Sequence, residues 1–182
     1  KKTLDQQPAQ FRMPKTQTRS YEDRRTKKIR SETSTTEFDA TGNLRKQVGI
    51  DGVTTLFEYF PSFETPDCPA DPIGFVRFLK QQTVIPASGG GASTVKRFRY
   101  ALQPGVEGST LANVVPVEEQ LFECVADREV LLSTASLAYV NTPGDSFQHG
   151  VLQQRSVSRD SKTSGVEYSY VLDDNTLVLK KI

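Results

Sequence analysis

One histidine, His149, and two cysteines, Cys68 and Cys124, are the only imidazole and thiols in the chain. A nucleophile–base pair would need His149 beside one of those thiols or a serine, with a carboxylate to orient the ring. No local spacing builds such a pair, and His149 reads as a turn histidine, hydrogen-bonded or solvated. Two thiols and one imidazole also fall short of the four ligands of a tetrahedral zinc site. The cysteines read as unpaired, partly buried thiols, with a bridge between them as the rival. Gly89-Gly90-Gly91 lacks the Gly-Lys-Ser/Thr of a phosphate loop and its strand–loop–helix setting, and reads as a hairpin tip. Glu118, Glu119 and Glu123 share one predicted strand without the partners of a calcium or glycosidase site. Asp173-Asp174-Asn175 reads as a hairpin turn. The expectation is a chain without catalytic residue, metal or cofactor.

The elements that would position these residues are strands. Short runs of Thr, Val, Tyr and Phe are bounded by Gly, Pro, Asp and Asn, and long helical periodicity is almost absent. Strands are predicted near 16–23, 26–38, 44–50, 53–60, 76–85, 96–102, 111–126, 129–140, 151–159, 166–172 and 176–182. Lys15 to Asp39 reads as two long strands with a turn near Asp23-Arg24-Arg25. Period-two alternation puts Phe98, Tyr100 and Leu102 on one face, and Val166, Tyr168, Tyr170 and Leu172 on another. Turns are predicted at Ala40–Asn43, Asp51-Gly52, Ser88–Gly91, Pro104-Gly105, Pro143–Asp145 and Asp173–Asn175. The irregular stretch Ser62–Gly74, with Pro66, Pro69 and Pro72, has room for a short turn of helix. The predicted fold class is all-β: long antiparallel strands and hairpins in a curved sheet, with little helix. Residues 1–182 read as a single β segment, with 1–15 as an extended or disordered arm. Ribbons of this kind need another layer to cover an apolar face.

Composition bounds the function. The 182 residues are 36% hydrophobic, below the roughly 45–50% of ordinary globular chains, which implies a thin or shared core. Net charge is +1, which excludes a globally basic nucleic-acid binder. The first thirty residues nevertheless carry ten basic and three acidic groups. That is +7, and the overall +1 leaves −6 for the rest. The expectation is that these cations are solvated faces of strands lying against the acidic remainder, with no nucleic-acid partner. No apolar run approaches the roughly 18 residues of a membrane helix, so no membrane insertion is expected. The first residues lack the apolar stretch of a signal peptide. Both ends read as those of a piece of a longer protein.

Phe38-Asp39-Ala40-Thr41-Gly42-Asn43-Leu44 opens a unit that continues through Gly52 to Phe57-Glu58-Tyr59, with Phe38 and Tyr59 21 residues apart. Asp39 can bond backbone amides ahead of it, Gly42 can take a positive φ, and Leu44 starts the return strand. This unit resembles the Rhs, or YD-repeat, family, whose repeat runs Tyr-Asp-x-x-Gly-Asn-Leu, a Gly, then the next aromatic. Phe38 stands in for the tyrosine, and Phe60 stands where the next aspartate would be. A half unit recurs at Tyr170–Leu177. Cys68-Pro69-Ala70-Asp71-Pro72-Ile73-Gly74-Phe75-Val76-Arg77 is similar to a segment of large Rhs-type bacterial toxins, including relatives of the insecticidal toxin complexes. Phe147–Leu152 is similar to another. Asp71-Pro72-Ile73-Gly74 also resembles the family's self-cleavage motif, but the longer flanking signature is missing and the stretch reads as a fixed turn.

The resemblance implies a section of a large secreted toxin, delivered by a bacterial secretion system, whose repeats spiral into a hollow β-shell around a toxic C-terminal cargo. Its implied partners are the remainder of the parent chain and that cargo. The rival reading is a binding module of a secreted bacterial protein that takes carbohydrate or a host surface on exposed aromatics. A wall section has edge strands, expected near Thr16–Asp23 and Thr176–Ile182, and an apolar inner face carrying Phe98, Tyr100, Tyr168 and Tyr170. Either could support self-association.

Overall fold

In the computed structural model, the described residues are 3, 6–8, 13–126, 128–173 and 178–181; for 171–173 and 178–181 only the backbone is described. Twelve strands appear: β1 (Thr16–Glu22), β2 (Ile29–Phe38), β3 (Leu44–Val48), β4 (Thr54–Tyr59), β5 (Leu79–Ile85), β6 (Ser93–Gln103), β7 (Asn113–Val125), β8 (Arg128–Tyr139), β9 (Leu152–Arg159), β10 (Lys162–Glu167), β11 (Tyr170–Asp173) and β12 (Val178–Lys181). No α-helix occurs among the described residues. The first ten strands form one antiparallel meander in the order β1 to β10, and β11 and β12 form a separate two-stranded sheet. The fold is all-β, as the alternation and turn residues predict.

Local chemistry explains the hairpins. In the β2–β3 turn, Gly42 N–H donates to the Asp39 carbonyl at 3.1 Å and Asp39 N–H to the Asn43 carbonyl at 2.9 Å. The β3–β4 turn repeats this with Gly52 N–H on Gly49 at 3.0 Å and Gly49 N–H on Val53 at 2.9 Å. Each is a three-residue loop ending on a left-handed glycine, with φ of 90° at Gly42 and 79° at Gly52. That conformation is open to glycine at little cost.

The sheet has little to pack against. The accessible surface of the chain is 12986 Å², about half as much again as the roughly 8,800 Å² expected of a compact chain of this mass. Among the described residues, the buried hydrophobics are Phe60, Cys68, Val95 and Ala135. The thin core inferred from composition is therefore a single layer of sheet, with one loop folded back on it.

Several expectations are corrected. Ser62–Gly74 holds no helical turn; it contains turns and an isolated bridge between Thr65 and Cys68. The run Val166–Leu172 is not one strand, because β10 ends at Glu167 and β11 starts at Tyr170. The second edge of the main sheet is β10 rather than the segment 176–182, since β12 pairs only with β11; residues 174–177 and 182 lie outside the described residues. Phe98, Tyr100 and Leu102 do not make one covered apolar face. Phe98 lies under the Lys96 ammonium at 5.0 Å, Tyr100 packs against the 60–78 loop, and Leu102 is 55% exposed. In the basic N-terminal region, β1 is exposed along its whole length and lies at the sheet edge, not against an acidic surface. The ion pairs Lys27–Glu22 and Arg30–Glu32 are internal to the β1–β2 ribbon. Of the predicted arm 1–15, the described residues hold no strand; Lys15 is tied to β2 by Thr36 N–H on its carbonyl at 2.9 Å.

Candidate functional site: an aromatic ladder and its docked loop

The repeat residues open onto a feature that runs across the whole sheet. Phe38, Tyr59, Tyr100 and Tyr139 occupy the last or near-last positions of β2, β4, β6 and β8. Each follows a register shift: Glu37/Phe38, Glu58/Tyr59, Arg99/Tyr100 and Ala138/Tyr139. Opposite them lie Leu44, Leu79, Pro116 and Leu152. The unmatched residue is always on the returning strand: Arg45, Lys80, Val117 and Gln153. A bulge bends its strand and increases its twist, so four in register place a bend along one line of the sheet. The hydroxyls then link successive hairpins. Tyr100 donates to the Leu79 carbonyl at 3.0 Å, Tyr139 to Pro116 at 2.9 Å and Tyr170 to Leu152 at 2.6 Å. Each tyrosine bonds the carbonyl opposite the previous aromatic.

Sequence reasoning found only the first interval of this ladder. Along the chain the spacings are 21, 41, 39 and 31 residues, because loops of different length interrupt it, and only Phe38 is followed by aspartate. The one usable signal is an aromatic in the last part of a strand with a Leu or Pro near the start of the next. Phe57, grouped with Tyr59 in the sequence reading, faces Gln82 across β4–β5 and is not part of the ladder.

Asp39 and Asn43 fix the first rung. The Asp39 carboxylate accepts from Thr41 N–H and Asn43 N–H at 2.9 Å each and from the Thr41 hydroxyl at 2.6 Å. Desolvation opposes its ionisation, but the Thr41 hydroxyl and the amides of Asn43, Thr41 and Gly42 outweigh it and hold the carboxyl below its ordinary pKa. Asn43 Nδ2 donates to the Val76 carbonyl at 2.6 Å and joins the turn to the 60–78 loop. At Gly42, any other residue must take a left-handed φ, and valine is the worst choice. Gly42→Val is expected to lower stability by more than about 1 kcal/mol; an unchanged melting temperature would show that the turn tolerates a side chain there.

The segment 60–78 folds back on the sheet and buries Cys68 and Asp71. Phe60 N–H meets the Phe78 carbonyl at 2.8 Å, closing the loop, and Tyr100 N–H donates to Asp67 at 2.9 Å, seating it on β6. Tyr100 receives Phe60 edge-on at 6.0 Å and Phe78 at 5.2 Å. Arg99 pairs with Asp67 at 3.1 Å and with Glu118 at 3.6 Å. Cys68 is 1% exposed, and its thiol bonds the Pro69 carbonyl at 3.4 Å. Burial, aided by the Asp71 charge, pushes this thiol up to about 11. It is protonated and poorly nucleophilic at neutral pH. Burial, then the nearby Cys68, pushes Tyr100 up to about 12.

Asp71 is the polar centre of the loop. Its enclosed carboxylate accepts from Ile73 N–H at 2.8 Å and from the half-exposed Arg77 at 2.5 Å. Desolvation raises its pKa, but the Ile73 amide, Arg77 and the Phe75 amide prevail and hold it below the usual range. Pro72 and Gly74, at φ 76°, complete the turn, and Gly74 N–H returns to the Asp71 carbonyl at 3.0 Å. Phe75 points outward, 59% exposed. With both oxygens engaged, the carboxylate serves as a structural clamp.

The remaining candidates are separate. His149 accepts Thr142 N–H on Nδ1 at 3.1 Å, so Nε2 carries the proton and donates to the Pro104 carbonyl at 2.6 Å. It ties two loops together through both ring nitrogens. Cys68 and Cys124 are both free. Glu118 and Glu119 pair with Arg99 and Lys96. Among the described residues no group of three or more His, Cys, Asp or Glu side chains could hold a metal, and no helix is long and apolar enough to cross a membrane. In comparisons with known proteins, no family model matches the chain and no curated protein matches it.

Proposed function

We propose that this chain is a non-catalytic wall section of an Rhs/YD-repeat toxin shell, secreted or delivered by a bacterial secretion system and enclosing a toxic cargo. The observation that carries the reading is the aromatic ladder. A bulge, an aromatic and a leucine or proline recur from hairpin to hairpin and build a curved sheet whose rungs repeat along the chain. Among the described residues the sheet ends at β1 and β10, which supports a role completed by further strands. Neighbouring repeats of the parent protein and its cargo are the partners in this reading.

Sedimentation of the isolated chain at micromolar concentration tests it. A wall section is expected to self-associate through an edge strand or an uncovered sheet face. A strictly monomeric species that binds a glycan would replace this reading with a self-contained carbohydrate- or surface-binding module.

A further inference from the structure

The β1–β2 ribbon runs past its neighbour β3. β3 pairs with β2 only from Thr35 to Phe38, while β1 and β2 remain paired from Thr16–Thr35 out to Glu22–Ile29. Six further residues at about 3.4 Å each carry the ribbon roughly 20 Å beyond the last β3 pair. Its far end carries Arg24, Arg25, Lys27, Lys28 and Arg30, with Glu22 and Asp23 as the only carboxylates between Tyr21 and Arg30. Asp23 is occupied by the turn: its Oδ1 accepts Arg25 N–H at 2.9 Å and Thr26 N–H at 2.8 Å. Glu22 is occupied by Lys27 at 3.1 Å. The side chains of Arg24, Arg25 and Lys28 have no partner among the described residues. Beside these cations stand two apolar side chains, Ile29 at 73% exposure and Tyr21 at 51%.

We propose that this ribbon tip docks end-on to an anionic lipid surface, adsorbing in the headgroup region without spanning it. Free cations attract the anionic leaflet. Ile29 and Tyr21 sit where burial at a bilayer interface repays their exposure, and tyrosine is suited to that boundary. The shaft argues against a nucleic-acid ligand. Its one cation in β1, Arg19, lies opposite Glu32, and the flanking positions are cross-strand hydroxyl pairs, Thr18–Thr33 at 3.0 Å and Ser20–Ser31 at 2.9 Å, whereas a polyphosphate lying along the ribbon would reward cations along its length. The end of the ribbon, unpaired by β3, is free to meet a flat surface.

The test is co-sedimentation of the whole chain with phosphatidylcholine vesicles, with and without one quarter phosphatidylserine, against a vesicle-free control. Retention is expected only on the anionic vesicles, and raising salt from about 0.1 M to about 0.5 M should release the protein. The triple variant R24Q/R25Q/K28Q removes only side chains without partners and should keep the wild-type circular dichroism. It should bind about a hundredfold more weakly, each cation near the surface contributing roughly fivefold. Ile29→Ser should weaken vesicle binding by roughly tenfold. Equal retention on pure phosphatidylcholine, or no retention on anionic vesicles, would overturn the proposal. So would capture by a DNA duplex that is lost in the triple variant while Ile29→Ser binds vesicles like wild type.

Discussion

Phe60→Ala is expected to destabilise the protein by about 3–5 kcal/mol, the range for removing a buried aromatic. Phe60 is 5% exposed in a chain with few buried side chains. It meets Tyr100 edge-on at 6.0 Å, and its amide closes the 60–78 loop on Phe78. A cavity there removes the apolar contact that seats the loop on β6, and little surrounding core can collapse into it. The same loop encloses Cys68, so the variant should also expose that thiol. Urea titration measures the stability loss, and the rate of modification by a thiol reagent reports the opening of the loop. A loss below about 1 kcal/mol with Cys68 still protected would show that Phe60 does not anchor the loop.

Asp71→Asn should cost about 2–3 kcal/mol at neutral pH, because Arg77 and the backbone amides of Ile73 and Phe75 lose a charged acceptor. It should also change how stability responds to acid. The folded pKa of Asp71 is depressed below its ordinary value of 3.8. Its contribution is therefore fully present above the unfolded pKa near 4 and is lost as pH falls through the lower folded value. Wild type is expected to lose stability below about pH 4. Asp71→Asn should show a shallower acid loss, retaining the part due to Asp39, whose carboxyl is depressed in the same direction. Urea midpoints at about pH 7 and about pH 3 measure both effects. Equal acid losses in wild type and variant would mean that the Asp71 carboxylate does not stabilise the folded state.

Strand positions and turn chemistry were legible in the sequence because they are local. Alternation along Lys96–Leu102 marks a strand whatever lies beside it, and Asp39 with Gly42 writes its turn within five residues. Even there, alternation did not say which face would be covered. Leu102 lies in register with Tyr100, yet it stays exposed because no second layer reaches it.

The sequence by itself determined an all-β chain, the hairpin turns at Gly42 and Gly52, and one interval of the aromatic repeat. Tertiary structure decided the rest. The ladder joins Tyr100 to Leu79 and Tyr139 to Pro116, residues 21 and 23 positions apart, through pairings that depend on loop length and bulges. The burial of Cys68 and Asp71 depends on how the 60–78 loop folds onto β6, and nothing in Cys-Pro-Ala-Asp-Pro specifies that. The exposure of the basic ribbon depends on where β3 stops. Composition showed an excess of cations near the N-terminal end, but only the register of β2 against β3 left them projecting into solvent. Local patterns set backbone direction and side-chain alternation, whereas burial and charge pairing are set by neighbours distant in the chain.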